Sequence, residues 1–360
     1  MYTLYGADIS YFSGKARAYL DWKGIDYEEV RANRDIYEKV ILPRVGWPVI
    51  PVMVGPGDET LQDTSDIIDT LDARHGGPSV YPDGPLQKLA ALLFEVIGDE
   101  WLVIPAMHYR WAHNRDYAYQ KFGEVSAPDK SAEEQLEIGR QMAVRFEGSL
   151  PFLGITPDTA PAVESAYLRL LDQLTEHFKS HDMLLGSRPS IGDFGLYGPL
   201  YAHQYLDPAS GALMKEKAPA VARWVERMRD AEATPGEFLA DDAVPETAKA
   251  ILREQFRDFV PVMVSTAAAL TEWAKDKDSG EEIPRALGPH EFTIGGASGN
   301  RLIFPFNLWM LQRPVDHVKS LRGDAESAAA VALMQDLGGD ALLDLDYPRL
   351  ERRNFKLRLA

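Results

Sequence analysis

The chain has 360 residues, 45% of them hydrophobic and 26% charged, with a formal net charge of −17 and no cysteine. This length allows two or three domains with cores of their own, and the acidity argues against nucleic acid and anionic membranes as partners, since both need basic patches. The missing cysteine excludes a disulfide, a thiolate metal site and a thiol nucleophile.

From the N-terminus, "YTLY" reads as a short strand, and "SGKARAYLDWKGI" carries Ala16, Tyr19 and Leu20 at helical spacing up to Gly24. "DYEEV" is a second strand. "DIYEKVILPRVG" holds a short helix before Pro43 and Gly46, and "VIPVMV" (49–54) is an apolar strand with a proline inside it. "TSDIIDTLDARHGG" is a helix capped by Asp63 or Thr64 and ended by Gly76 and Gly77. Strand and helix alternate, which implies a small mixed sheet flanked by helices over residues 1–76, followed by a Gly/Pro-rich linker over 77–84.

Residues 85–245 read as an all-helical domain. The stretch 85–123 is one long helix or two, and "AVESAYLRLLDQLTEHF" is amphipathic. Ser190 and Asp193 form a capping box at a helix start. Residues 246–360 are an α+β extension expected to pack on the helical domain. It holds a long amphipathic pattern kinked or broken near Pro261, a hairpin over 290–306, a short helix at "ESAAAVALMQDL" and a last strand at "NFKLRL". The basic tail "RLERRNFKLRLA" either folds back toward an anion site or serves as a charged edge strand; the edge strand is preferred.

No charged, apolar leader opens the chain, and the apolar run 302–311 is too short to span a bilayer, so a cytoplasmic protein is expected. The histidines show no ligand spacing, and no metal is expected at His108, His113, His203 or His290.

Three loops can converge near the N-terminus. One bears Ser10, one exposes backbone beside Pro51, and one opens a helix at "QDTSDII", where free N–H groups suit a carboxylate. Together with "PSIGDFGLYGPLYA", these segments resemble the cytosolic glutathione transferase family over about residues 1–235. The resemblance implies a thioredoxin-like N-terminal domain followed by an all-α domain. It implies glutathione as co-substrate, a small hydrophobic electrophile, and a homodimer.

The resemblance also implies residue roles. Ser10 would donate its hydroxyl to the glutathione sulfur and stabilise the thiolate. Ile50 would pair its backbone with the cysteinyl part, Pro51 would be the cis residue, and Ser65 would bind the γ-glutamyl carboxylate. The family's Glu falls on Thr64, with a carboxylate one residue earlier at Asp63. Tyr5, Tyr11 and Ser13 are rival sulfur partners. Local sequence alone makes Ser10 a helix N-cap. Trp101, His108, Tyr109 and Trp111 would line the electrophile pocket or simply pack the core.

Without a cysteine, thiol transfer through the protein is excluded, which leaves chemistry with glutathione as the nucleophile. Conjugation, dehalogenation, ether cleavage and isomerisation share this site plan. A peroxidase activity and a non-catalytic binding or scaffold role are the alternatives.

Overall fold

The computed structural model describes residues 1–230 and 236–360. Its first part is a four-stranded sheet in the order β2-β1-β3-β4, made of β1 (Tyr2–Gly6), β2 (Tyr27–Arg31), β3 (Val52–Val54) and β4 (Thr60–Gln62). β1 and β2 are parallel and the other pairs antiparallel. The parallel pair needs a crossover, supplied by α1 (Tyr11–Lys23). α1 buries Ala16, Tyr19, Leu20 and Trp22 and stops at Gly24, whose φ of 66 is a left-handed conformation that glycine adopts without strain. Short turns α2 (Arg34–Ile36) and α3 (Leu42–Val45) flank a π-turn over Tyr37–Ile41, and α4 (Thr64–Arg74) closes the domain.

The second part is helical. α5 (Pro85–Val96) runs through a π-turn at Ile97–Trp101 into α6 (Val103–His113), and is followed by α7 (Arg115–Ser126), α8 (Ala132–Glu147), α9 (Ala160–His177), α10 (Ile191–Ala202), α11 (Pro208–Lys217) and α12 (Pro219–Arg229). The capping box holds: Ser190 donates from both its N–H and its hydroxyl to Asp193 Oδ2, each at 2.8 Å. Gly98 is needed where the π-turn after α5 meets α10, because a Cβ there would lie 2.3 Å from the Gly195 carbonyl carbon. The start of α5 is capped from far along the chain: Asp242 accepts from the N–H groups of Leu86 and Gln87 at 2.8 Å each.

The extension opens with α13 (Glu246–Ala274), one unbroken helix where the sequence suggests a kink or break at Pro261. Pro261 lies on the solvent face, so water can serve the carbonyl it leaves unbonded, while buried Val260, Val262 and Met263 hold the helix to the core. The hairpin β5 (Pro289–Ile294) and β6 (Ala297–Leu302) turns through Gly295 and Gly296, both with positive φ. α14 (Phe306–Ser320) and α15 (Asp324–Asp336) lie against α5, and β7 (Leu350–Arg353) and β8 (Lys356–Leu359) form a last hairpin. This extension packs on the helical domain, and it also reaches the N-terminal sheet. No helix among the described residues is long and apolar enough to cross a membrane.

Candidate functional site

Strand register gathers the three loops. Tyr5 of β1 pairs with Val52 of β3, which pairs with Gln62 of β4. β1 leads past this row into Ala7–Ser10 and α1, β3 is entered from Ile50–Pro51, and β4 leads into Asp63 and α4. All three segments therefore leave one end of the sheet. The Ile50–Pro51 peptide is cis.

Ser10 caps α1 from an extended backbone, and its Oγ accepts from the Ser13 N–H at 3.3 Å. It is half-buried, and its O–H has no acceptor among the described residues. Two of its three rivals are taken up elsewhere. The Tyr11 hydroxyl donates to the Gly98 carbonyl, and Ser13 is sealed, accepting from the Ala7 N–H at 3.3 Å. Tyr5 is half-buried and packs against the cluster of Ala32, Ile41, Val45 and Val52.

At the start of α4, Asp63 holds a φ of 79, and its Oδ1 accepts from the Ser65 N–H at 2.9 Å. Thr64 follows as the first helical residue, and its N–H has no partner among the described residues. Ser65 is fully buried and faces inward: its hydroxyl donates to Glu95 Oε1 at 2.7 Å. In this arrangement Thr64, rather than the Ser65 side chain expected from sequence, offers the unpaired polar groups at this helix end.

Beneath this row lies a buried charge network that sequence reasoning missed. Lys15 of α1 donates to Glu95 at 2.8 Å and to Asp99 at 2.6 Å. Arg313 of α14 reaches Glu95 at 3.2 Å and Asp69 at 2.8 Å. The network thus ties α1, α4, α5 and the extension together. A signal existed: Lys15 stands one helical turn before buried Tyr19, on the core face of α1. Burial opposes ionisation of Glu95, but Arg313 and Lys15 outweigh it and hold its carboxyl below the usual range. Burial pushes Asp99 up to about 7, with Lys15 opposing. Glu100 is pushed up to about 8 by burial, then by the charges of Asp99 and Asp63.

The extension covers this region. Arg352 of β7 donates to the Gln62 carbonyl at 3.0 Å, to the Gln62 side chain and to Asp66, while its guanidinium lies over the Trp309 ring. Met310 Sδ lies 3.9 Å from Ser65 Oγ, and Phe355 packs against the cluster of Ala32, Ile41, Val45 and Val52. The basic tail is therefore both a hairpin and a segment folded back onto the three-loop end of the sheet, where the sequence reading preferred the edge strand alone.

Of the four aromatic positions expected to line an electrophile pocket, three are engaged in packing between helices. Trp111 stacks with Phe122 and Phe146, Tyr109 meets Tyr167 with ring centroids 4.9 Å apart, and His108 bonds Glu164 at 2.8 Å. His113 reaches the same Glu164 oxygen at 2.8 Å, a convergence that the spacing did not announce. Trp101 is different: beside Glu100, it meets Phe259 and Arg301 of the extension.

A family model described as the glutathione S-transferase N-terminal domain matches residues 4–79, and one described as the glutathione S-transferase C-terminal domain matches residues 142–232. The chain carries both domains of the glutathione S-transferase family. No curated protein matches it. Among solved structures, it is similar to a glutathione S-transferase from Rhodospirillum rubrum F11, at 18% identity over 70% of this chain and 99% of that one, with a TM-score of 0.42. It is similar to the β-etherase LigF of Sphingobium sp. strain SYK-6, at 15% identity over 70% and 99%, with a TM-score of 0.44. It is also similar to a glutathione S-transferase of Methylobacterium radiotolerans JCM 2831 in complex with glutathione sulfonate, at 22% identity over 68% and 99%, with a TM-score of 0.39. Residues 246–360 lie beyond both matches.

Proposed function

We propose that this chain is a glutathione-dependent transferase acting on a small, largely apolar electrophile. The row Tyr5–Val52–Gln62 carries this reading, because it brings Ser10, Ile50 and the start of α4 to one end of one sheet. The free O–H of Ser10 donates to the glutathione sulfur and favours the thiolate. The Ile50 backbone aligns the cysteinyl part, and the N–H and hydroxyl of Thr64 with the positive end of α4 receive the γ-glutamyl carboxylate beside Asp63 and Ser65. The protein's part is to position and activate the thiol. The homodimer and the cytoplasmic location belong to this reading too.

The test is calorimetry with glutathione on wild type, Ser10→Ala and Thr64→Ala, followed by a conjugation assay with 1-chloro-2,4-dinitrobenzene. Binding weakened by Thr64→Ala and turnover lost in Ser10→Ala support the reading. No binding at millimolar glutathione overturns it. A second reading, a non-catalytic scaffold on the same fold, is favoured by one observation: Arg352 of the extension is bonded to Gln62 and Asp66, on either side of the start of α4. On that reading Ser10→Ala leaves the biological role intact.

A further inference from the structure

We infer that Arg301 is a receptor for the carboxylate of an organic monoanion, seated between Trp101 of the helical domain and the β5–β6 hairpin of the extension. Arg301 is only 2% exposed. Its guanidinium lies 5.5 Å from the ring of Trp101, 5.8 Å from that of Phe292 and 5.6 Å from that of Phe304. Its Nε and Nη1 are sealed from solvent with no hydrogen-bond partner, and no ion pair involves it among the described residues.

The other fully buried arginine, Arg110, and the half-buried Arg313 are treated differently. Arg110 binds Asp207 through two nitrogens and also donates to the carbonyls of Ile9 and Ala202. Arg313 has Asp69 and Glu95. A buried guanidinium left unpaired is costly, so one kept without a partner points to an anion that arrives from outside. Burial lowers Arg301 to about 10, which leaves it charged at neutral pH. Glu100 acts on it but forms no pair with it, and is itself mostly protonated at neutral pH.

The surroundings are shaped for this side chain. Gly154 sits at a φ of +81, where a Cβ would lie 2.2 Å from Phe292 Cζ and 3.3 Å from Arg301 Cβ. Phe304 and Glu100, beside this side chain, are half-buried. One cation balances one negative charge and leaves the second charge of a dianion without a partner. The planar guanidinium matches a carboxylate, and three rings accept a flat apolar body. Calling this anion the electrophilic substrate rests on the transferase reading; the binding site does not.

The experiment is calorimetry with sodium 1-naphthoate and with methyl 1-naphthoate, without glutathione, on wild type, Arg301→Lys and Arg301→Met. Naphthoate is expected to bind wild type and the ester not. Arg301→Met should weaken naphthoate about 10- to 100-fold, the loss typical of a charged hydrogen bond, and should melt no lower than wild type, since an unpaired buried charge is gone. Arg301→Lys should fall between the two. Equal binding of acid and ester, or unchanged affinity in Arg301→Met, overturns the site. Should Arg301→Met fail to fold, the comparison of acid with ester on wild type decides. Naphthoate displaced by glutathione assigns Arg301 to glutathione itself and overturns the second-substrate role. Naphthoate binding with no glutathione binding sinks the transferase reading and leaves the Arg301 site standing.

Discussion

The Ser65 hydroxyl donates to Glu95 Oε1 at 2.7 Å, and so joins the first turn of α4 to the last turn of α5. Both residues are fully buried, and Lys15 and Arg313 hold the same carboxylate. Ser65→Ala should therefore act on stability more than on ligand binding. A loss of about 1–3 kcal/mol is expected for a hydrogen bond to a buried charged group. Denaturant melts beside glutathione calorimetry check this: affinity lost in Ser65→Ala but kept in Thr64→Ala would reverse the assignment.

Lys15→Met leaves Glu95 and Asp99 facing each other with only Arg313 to compensate. Removing one partner of a buried pair costs about 3–5 kcal/mol. The loss should be smaller at pH 5 than at pH 8, because Asp99, already pushed up to about 7, is protonated at the lower pH. Urea melts at both pH values test this. Equal losses would show that Asp99 stays charged throughout.

Glu100 has a folded pKa raised to about 8, well above the unfolded value. Between the two values the folded state holds a proton that the unfolded state has released, so stability falls as pH rises. Above about pH 7.5 histidine titration in the unfolded chain is largely complete. From there to about 8, wild type should lose stability, and Glu100→Gln should show a flatter profile. Melting temperatures across this window decide; parallel profiles would contradict the raised value.

Arg352→Ala removes the bonds that hold β7–β8 to Gln62 and Asp66. Asp66 is partly exposed, so a modest cost of about 1 kcal/mol is expected. The clearer readout is local. Amide exchange and tryptic cleavage within residues 350–359 should speed up while α5 stays protected. Uniform loosening of the whole chain would show that the hairpin is integral to the core.

Much of the architecture was legible because it is local. Helical spacing in α1 and α9, the Ser190–Asp193 capping box and the Gly295–Gly296 turn each depend on residues close in sequence. The α1 cap at Ser10 was legible for the same reason. The cis role of Pro51 and the thioredoxin-like character of the first domain were read through resemblance. The direction of the Ser65 hydroxyl was not legible, because one residue of rotation at a helix start turns a side chain from groove to core. Thr64 and Ser65 are chemically alike, and only packing against α5 separates them.

The sequence by itself determined that strands and helices alternate up to about residue 76, that helices follow, and that this end of the sheet carries hydroxyls and no thiol. Those features follow from residue type and short-range spacing. The tertiary structure alone decided which charges share a buried site and what lies over the three loops. Lys15, Glu95, Asp99 and Arg313 come from three parts of the chain, and Arg352 lies 290 residues from the Gln62 it holds. The state of a buried charge depends on neighbours brought together by folding, and no local pattern encodes them.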